Sequence, residues 1–230
     1  MTVEKNNIKY DGFKQESCFV KLNIPIVQYY YDDNSLKDYL VSKIDYIENY
    51  YKNSSKKFHG DGDTNTKSIL TQNFSNFNMF DDDSEIILKF KKFVKKSFLH
   101  YMDSVLNYSE PNEYYFQCWG NKNGYLDYLD KHIHNNDFSP WALSGNFFIR
   151  SCGVETYTLY YNPLNEKITL NDFIAKENIE NTLTIFPCFV PHSTTSNRSM
   201  DSYRYSLGID IWRQQDLDQR TKASKCLVKL

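Results

Sequence analysis

Residues 130–145, DKHIHNNDFSPWALSG, hold two of the chain's five histidines one residue apart, followed by a carboxylate at Asp137. In an extended strand, residues i and i+2 project to the same side about 6.6 Å apart along the chain, so His132 and His134 can converge on one ion. A lone His-x-His is as readily a solvated surface pair, and a metal claw needs a third ligand from elsewhere. The strongest candidate is His192 in FPCFVPHSTTSNRSMDSYRYS, behind a stretch bracketed by Pro187 and Pro191. Such a stiff turn can present one side chain at the rim of a sheet. Further on, Arg204 precedes Ser206 on one strand face. A guanidinium fork beside a hydroxyl fits a carboxylate, held bidentately by the first and capped by the second.

The elements that must carry these residues are strands. YYFQCW (114–119), SGNFFIR (144–150), ETYTLYY (155–161), EKITL (166–170), NTLTIF (181–186) and YRYSLGIDI (203–211) are rich in aromatic and β-branched residues and separated by turn chemistry such as Asn123-Gly124 and Asn162-Pro163. In the last run Tyr203, Tyr205, Leu207, Ile209 and Ile211 share one face, and Arg204, Ser206, Gly208 and Asp210 share the other. An apolar face can pack on helices; the polar face meets water or lines a polar cavity. Two amphipathic helices are expected upstream. One runs from Ser35 to about Tyr51, with Ser35 and Asp38 as a capping pair. The other spans 83–107 behind Asp82 and Glu85, with Lys91, Lys92, Lys95 and Lys96 on its solvated side.

Helices and loops over about 1–110, then strands over about 111–212 and a tail at 213–230, predict a single α+β domain covering 1–230, a sandwich or barrel buttressed by N-terminal helices. With 17% aromatic residues and only three alanines, the composition disfavours an all-helical bundle. A net charge of −2 supplies no basic field, so nucleic acid is unprompted as a partner. Five cysteines without a CxxC pair suit a reducing cytoplasm, and neither a signal peptide nor a membrane-spanning run is evident.

His-x-His, a distant His and an Arg-x-Ser in this order resemble the Fe(II)/2-oxoglutarate-dependent oxygenase superfamily. Over about residues 114–211 the chain looks closest to the prolyl 4-hydroxylase-like branch of bacterial and phage proteins. The matching residues are Trp119 and Asn121, His132 and His134, Ser144 and Gly145, Phe186 and Pro187, His192, and Arg204 and Ser206. The resemblance implies a double-stranded β-helix (a cupin-like jelly roll), with Fe(II) and 2-oxoglutarate as cofactors. His132 would be the first metal ligand and His192 the distal one, while Arg204 and Ser206 would hold the remote carboxylate of 2-oxoglutarate. Asn121 and Tyr161 are candidates for contacts to the cosubstrate; Tyr157, Trp141 and Asn146 could also line the pocket.

The sequence departs from the family's His-x-Asp/Glu, because His134 stands where the carboxylate is usual. Three readings stay open: His134 ligates, Asp137 or Asp130 supplies the carboxylate, or the position is left to water or an anion. Three histidines also suit Zn(II), so iron follows from the cosubstrate receptor rather than from the ligands.

The implied reaction couples decarboxylation of 2-oxoglutarate to succinate and CO2, with O2 as co-reactant, to hydroxylation of a prolyl or other peptide side chain or of a small molecule. The competing readings are a cupin-like three-histidine enzyme without a cosubstrate and a non-enzymatic jelly-roll structural protein. Neither of these needs Arg204 and Ser206.

Overall fold

In the computed structural model, the described residues are 2–10, 13–21, 24–53, 69–71, 78–108, 113–134, 143–163, 173–213 and 228–229. The strands are β1 (Thr2–Tyr10), β2 (Phe13–Lys21), β3 (Val27–Tyr30), β4 (Ile69–Leu70), β5 (Tyr114–Asn123), β6 (Leu143–Arg150), β7 (Tyr157–Tyr161), β8 (Phe173–Glu177), β9 (Thr182–Pro187), β10 (His192–Thr194), β11 (Arg204–Arg213) and β12 (Val228–Lys229). The α-helices are α1 (Ser35–Asn53) and α2 (Glu85–His100), the latter running into a short π-helical turn at Tyr101–Val105.

A seven-stranded sheet has the order β12-β5-β11-β6-β9-β3, with β4 pairing β5; a three-stranded sheet has the order β10-β7-β8; β1 and β2 form a separate hairpin. Every pairing is antiparallel. The double-stranded β-helix expected from the sequence is this pair of facing sheets with two helices behind the larger one.

β11 lies at the centre of the large sheet between β5 and β6. Tyr205, Leu207, Ile209 and Ile211 are buried in one cluster with Leu36, Leu40 and Ile44 of α1 and Ile87, Phe90, Val94 and Phe98 of α2. The strand alternation and the three- and four-residue helical spacing thus meet in one core, where each fully buried aliphatic or Phe side chain contributes about 1.5–3 kcal/mol. The close approach of α1 depends on Gly120, where a Cβ would fall 2.5 Å from Ile44 Cγ1. The opposite face of β11 turns toward the small sheet, and a second cluster of Tyr160, Phe186 and Val190 forms there.

Several expectations change. The N-terminal part is not only helix and loop: β3 pairs with β9 and β4 with β5, so it adds edges to the large sheet. β12 in the C-terminal tail also joins β5. At the first helix, Asp33 rather than the Ser35–Asp38 pair serves the opening turn, accepting from Ser35 N at 3.0 Å, while Asp38 pairs with Arg150. At the second, Asp82 accepts from Ser84 N at 2.8 Å and also from Tyr39 and Lys43 of α1, tying the two helix starts together. The strand expected at 166–170 lies outside the described residues, and β10 was too short to stand out by alternation. Among the described residues no helix is long and apolar enough to cross a membrane.

Candidate metal centre

The segment 127–134, irregular in itself, is laid alongside the 188–197 stretch by main-chain hydrogen bonds. His132 N donates to His192 O at 3.0 Å and His192 N to His132 O at 2.9 Å; Thr194 N donates to Leu129 O and His134 N to Cys188 O. This pairing brings residues of distant sequence together on the rim of the small sheet. The side-chain nitrogens of His132, His134 and His192 lie within 4.8 Å of one another.

In each ring Nδ1 faces an oxygen. His132 Nδ1 lies 2.7 Å from Asp130 O, His192 Nδ1 lies 3.0 Å from Val190 O, and His134 Nδ1 lies 2.6 Å from Asp210 Oδ1. Carbonyl and carboxylate oxygens only accept, so Nδ1 is the donor in each of these three contacts, and Nε2 is the nitrogen left to serve a ligand role. His134 Nε2 and His192 Nε2 are 3.1 Å apart. At that distance the two nitrogens can share a proton or a cation. The spacing matches that of about 3.0 Å between two ligands at right angles with metal–nitrogen bonds of about 2.1 Å. Burial, then the two neighbouring imidazoles, holds His192 well below its ordinary value of 6.5. It is therefore neutral and available as a ligand at neutral pH. The donor set fits a divalent cation.

The three histidines open into a cavity of about 250 Å³ between the two sheets. From β11 come Arg204, Ser206, Gly208 and Asp210, the polar face read from the alternation. Arg204 is only 2% exposed. Its Nη1 donates to Thr195 O at 2.7 Å and its Nη2 to Thr194 Oγ1 at 2.9 Å, and among the described residues no carboxylate lies within ion-pair distance. Burial pushes its pKa down to about 10, so it remains a cation at neutral pH. The Asp127 carboxylate acts on it only from beyond contact; a buried cation with no directly paired anion is costly, and a bound anion would relieve it.

Thr194 belongs to the same receptor and gives no signal in the sequence. Its Oγ1 accepts from both Leu129 N and Arg204 Nη2, which leaves its own proton to donate to a bound anion. Asn121 donates to Ser206 Oγ at 3.3 Å, across the β5–β11 pairing that sets the two residues opposite each other. Asn121 Oδ1 is buried without a hydrogen-bond partner, so one end of this amide awaits a ligand or water.

Not every candidate joins the site. Tyr161 falls on the other face of β7 from Thr158 and Tyr160; its hydroxyl lies 2.8 Å from Ser193 Oγ and Lys131 sits over its ring. Tyr157 bonds Glu155. Thr158 lines the cavity instead, and Tyr160 packs on Phe186 and His192. Asp130 enters through its main-chain oxygen, and its carboxylate is not among the clustered ligand groups. Asp137 and Trp141 lie outside the described residues. Asn146 lines the cavity, and so does Trp119, whose indole packs against His134. Asp210 was visible only as one member of a polar face.

No family model matches the chain, and no curated protein sequence matches it. Solved structures do. A prolyl-4-hydroxylase from Pseudomonas putida aligns with a TM-score of 0.57 at 10% identity, over 83% of this chain and 94% of that one. A prolyl hydroxylase from Trichoplax adhaerens, solved with a hypoxia inducible factor peptide fragment, aligns at 0.58 and 12% identity over 86% and 87%. A viral collagen prolyl hydroxylase from Paramecium bursaria Chlorella virus-1, solved with 2-oxoglutarate, aligns at 0.50 and 11% identity over 81% and 94%. At these identities the likeness is one of fold. The chain has the fold of solved 2-oxoglutarate/Fe(II) oxygenases, prolyl hydroxylases among them, as the order of its histidines and its Arg-x-Ser led one to expect.

Proposed function

We propose that the protein is a 2-oxoglutarate-dependent dioxygenase whose metal is held by His132, His134 and His192. The observation that carries this reading is Arg204: a buried guanidinium with no carboxylate at ion-pair distance among the described residues, in the same cavity as three imidazoles whose ligand atoms lie within 4.8 Å of one another. A metal enzyme without a cosubstrate has no need of that cation, nor does a structural jelly roll.

When bound, Fe(II) with 2-oxoglutarate and O2 supplies the oxidising chemistry, releasing succinate and CO2. The chain's own residues bind and orient. The three Nδ1–H bonds fix the imidazole planes, so that Nε2 would be the ligating atom. Arg204, Thr194 and Ser206 would hold the distal carboxylate of 2-oxoglutarate through their N–H and O–H donors. Trp119, Phe186 and the aliphatic side chains of Leu129 and Ile133 line the cavity and limit its water.

The neighbours named as prolyl hydroxylases support a peptide side chain, prolyl or other, as the primary substrate, with hydroxylation as the outcome. A reducing compartment such as the cytoplasm suits Cys118, Cys152 and Cys188, which are buried and outside any disulfide.

The test is anaerobic addition of Fe(II) and 2-oxoglutarate, which should produce the weak visible charge-transfer band of a chelated keto acid. Succinate should form once oxygen is admitted. Absence of both band and succinate would overturn the assignment.

A further inference from the structure

Three imidazole ligands bring no negative charge to a divalent cation, yet one buried carboxylate stands directly behind one of them. Asp210 Oδ1 lies 2.6 Å from His134 Nδ1 and accepts from Ser144 Oγ at 2.9 Å. Ser144 is the cross-strand partner of Asp210 on β6 and has no exposed surface, so the carboxylate is held from the sheet itself. Among the described residues no lysine or arginine pairs with it; its partners are His134 and Ser144.

The contrast with the other two histidines is informative. His132 and His192 each turn Nδ1 to the carbonyl two residues earlier in the chain. For His134 that carbonyl belongs to His132 and already accepts from His192 N. The His134 ring does not use it and reaches instead to the carboxylate of Asp210 on the large sheet.

We propose that Asp210 is the anion of the metal centre, placed behind a ligand instead of on the metal. In this arrangement the carboxylate usual at the second histidine's position is moved one ring outward. Asp210 orients the His134 imidazole and offsets the charge of the ion through it. It is a positioning residue. This inference rests on the metal-binding reading of the three histidines.

The experiment is Co(II) binding to the full chain, measured by competition with a chelator, with ¹H NMR of the exchangeable Nδ1–H resonances shifted by the ion. Wild type should bind and show three such resonances. Asp210→Asn keeps a neutral acceptor of similar shape; it should bind about 10- to 100-fold more weakly and displace one resonance while leaving two in place. His134→Asp alone sets two carboxylates against each other and should bind poorly. His134→Asp combined with Asp210→Asn keeps a single carboxylate and should bind more tightly than His134→Asp alone. That pair of variants carries the test should Asp210→Asn not fold.

An Asp210→Asn affinity within about twofold of wild type, or no gain in the paired variant, would overturn the proposal while leaving the metal site in place. Failure of wild type to bind Co(II), or unchanged binding by His192→Ala, would instead remove the metal-binding reading and this inference with it.

Discussion

The indole of Trp119 lies across Gly208 on the neighbouring strand so closely that a Cβ at position 208 would fall 2.3 Å from Trp119 Cε2. The same indole packs on His134, with ring centroids 5.6 Å apart. The glycine therefore sets where the indole rests, and the indole sets one wall of the metal centre.

Gly208→Ala must displace that ring. Overpacking of this kind costs about 1–3 kcal/mol, and because the indole is driven along the His134 side, metal affinity should fall with stability. Gly120→Ala collides with Ile44 on the helical face instead. It should lower the melting temperature comparably and leave metal affinity near wild type. Thermal unfolding alongside metal titration separates the two, and equal effects on metal binding would contradict the assignment of faces.

The receptor predicts a graded loss of cosubstrate affinity. Arg204→Ala removes the cation and the fork; Thr194→Val removes one charge-assisted donor and strands Leu129 N and Arg204 Nη2. Losing a hydrogen bond to a charged group costs about 1.5–3 kcal/mol, or roughly 10- to 100-fold in 2-oxoglutarate affinity. Arg204→Ala should exceed that and leave metal binding largely intact. Isothermal titration with the metal-loaded protein checks both, and unchanged affinity in Arg204→Ala would remove the role given to it.

The third ligand can be tested by subtraction. His134→Ala should weaken metal binding by more than the 10- to 100-fold, roughly, that loss of an outer partner costs. Asp130→Asn retains the main-chain oxygen that serves His132 and should change the affinity by less than about twofold. A large loss in Asp130→Asn would bring its carboxylate back as a ligand.

Stability without metal should depend on pH through His192. Its folded value lies below the ordinary 6.5 because burial disfavours the imidazolium. Between those two values the unfolded chain binds more protons than the folded one, so stability rises with pH in that window and falls on acidification below about 6.5. The loss is at most about 1.4 kcal/mol per pH unit. Denaturation of the metal-free protein from pH 7.5 to 5 should show this slope, and His192→Gln should flatten it.

Much of this was legible in the chain. The alternation of Tyr205, Leu207, Ile209 and Ile211 against Arg204, Ser206, Gly208 and Asp210 determined both faces of β11, because a pleated strand has a side-chain period of two. The spacing of Leu36, Leu40 and Ile44 and of Phe90, Val94 and Phe98 likewise determined which helical faces meet that strand. His132, His134, His192, Arg204 and Ser206 could be named because their types and order carry chemistry. Tertiary structure decided what periodicity does not encode. The partner of each Nδ1, the role of Thr194, the outward turn of Tyr161 and the seat of Trp119 on Gly208 all follow from cross-strand register and inter-sheet contact. Those are set by which strands pair, and the pairings join residues as far apart as His134 and Asp210, whose relation no local pattern records.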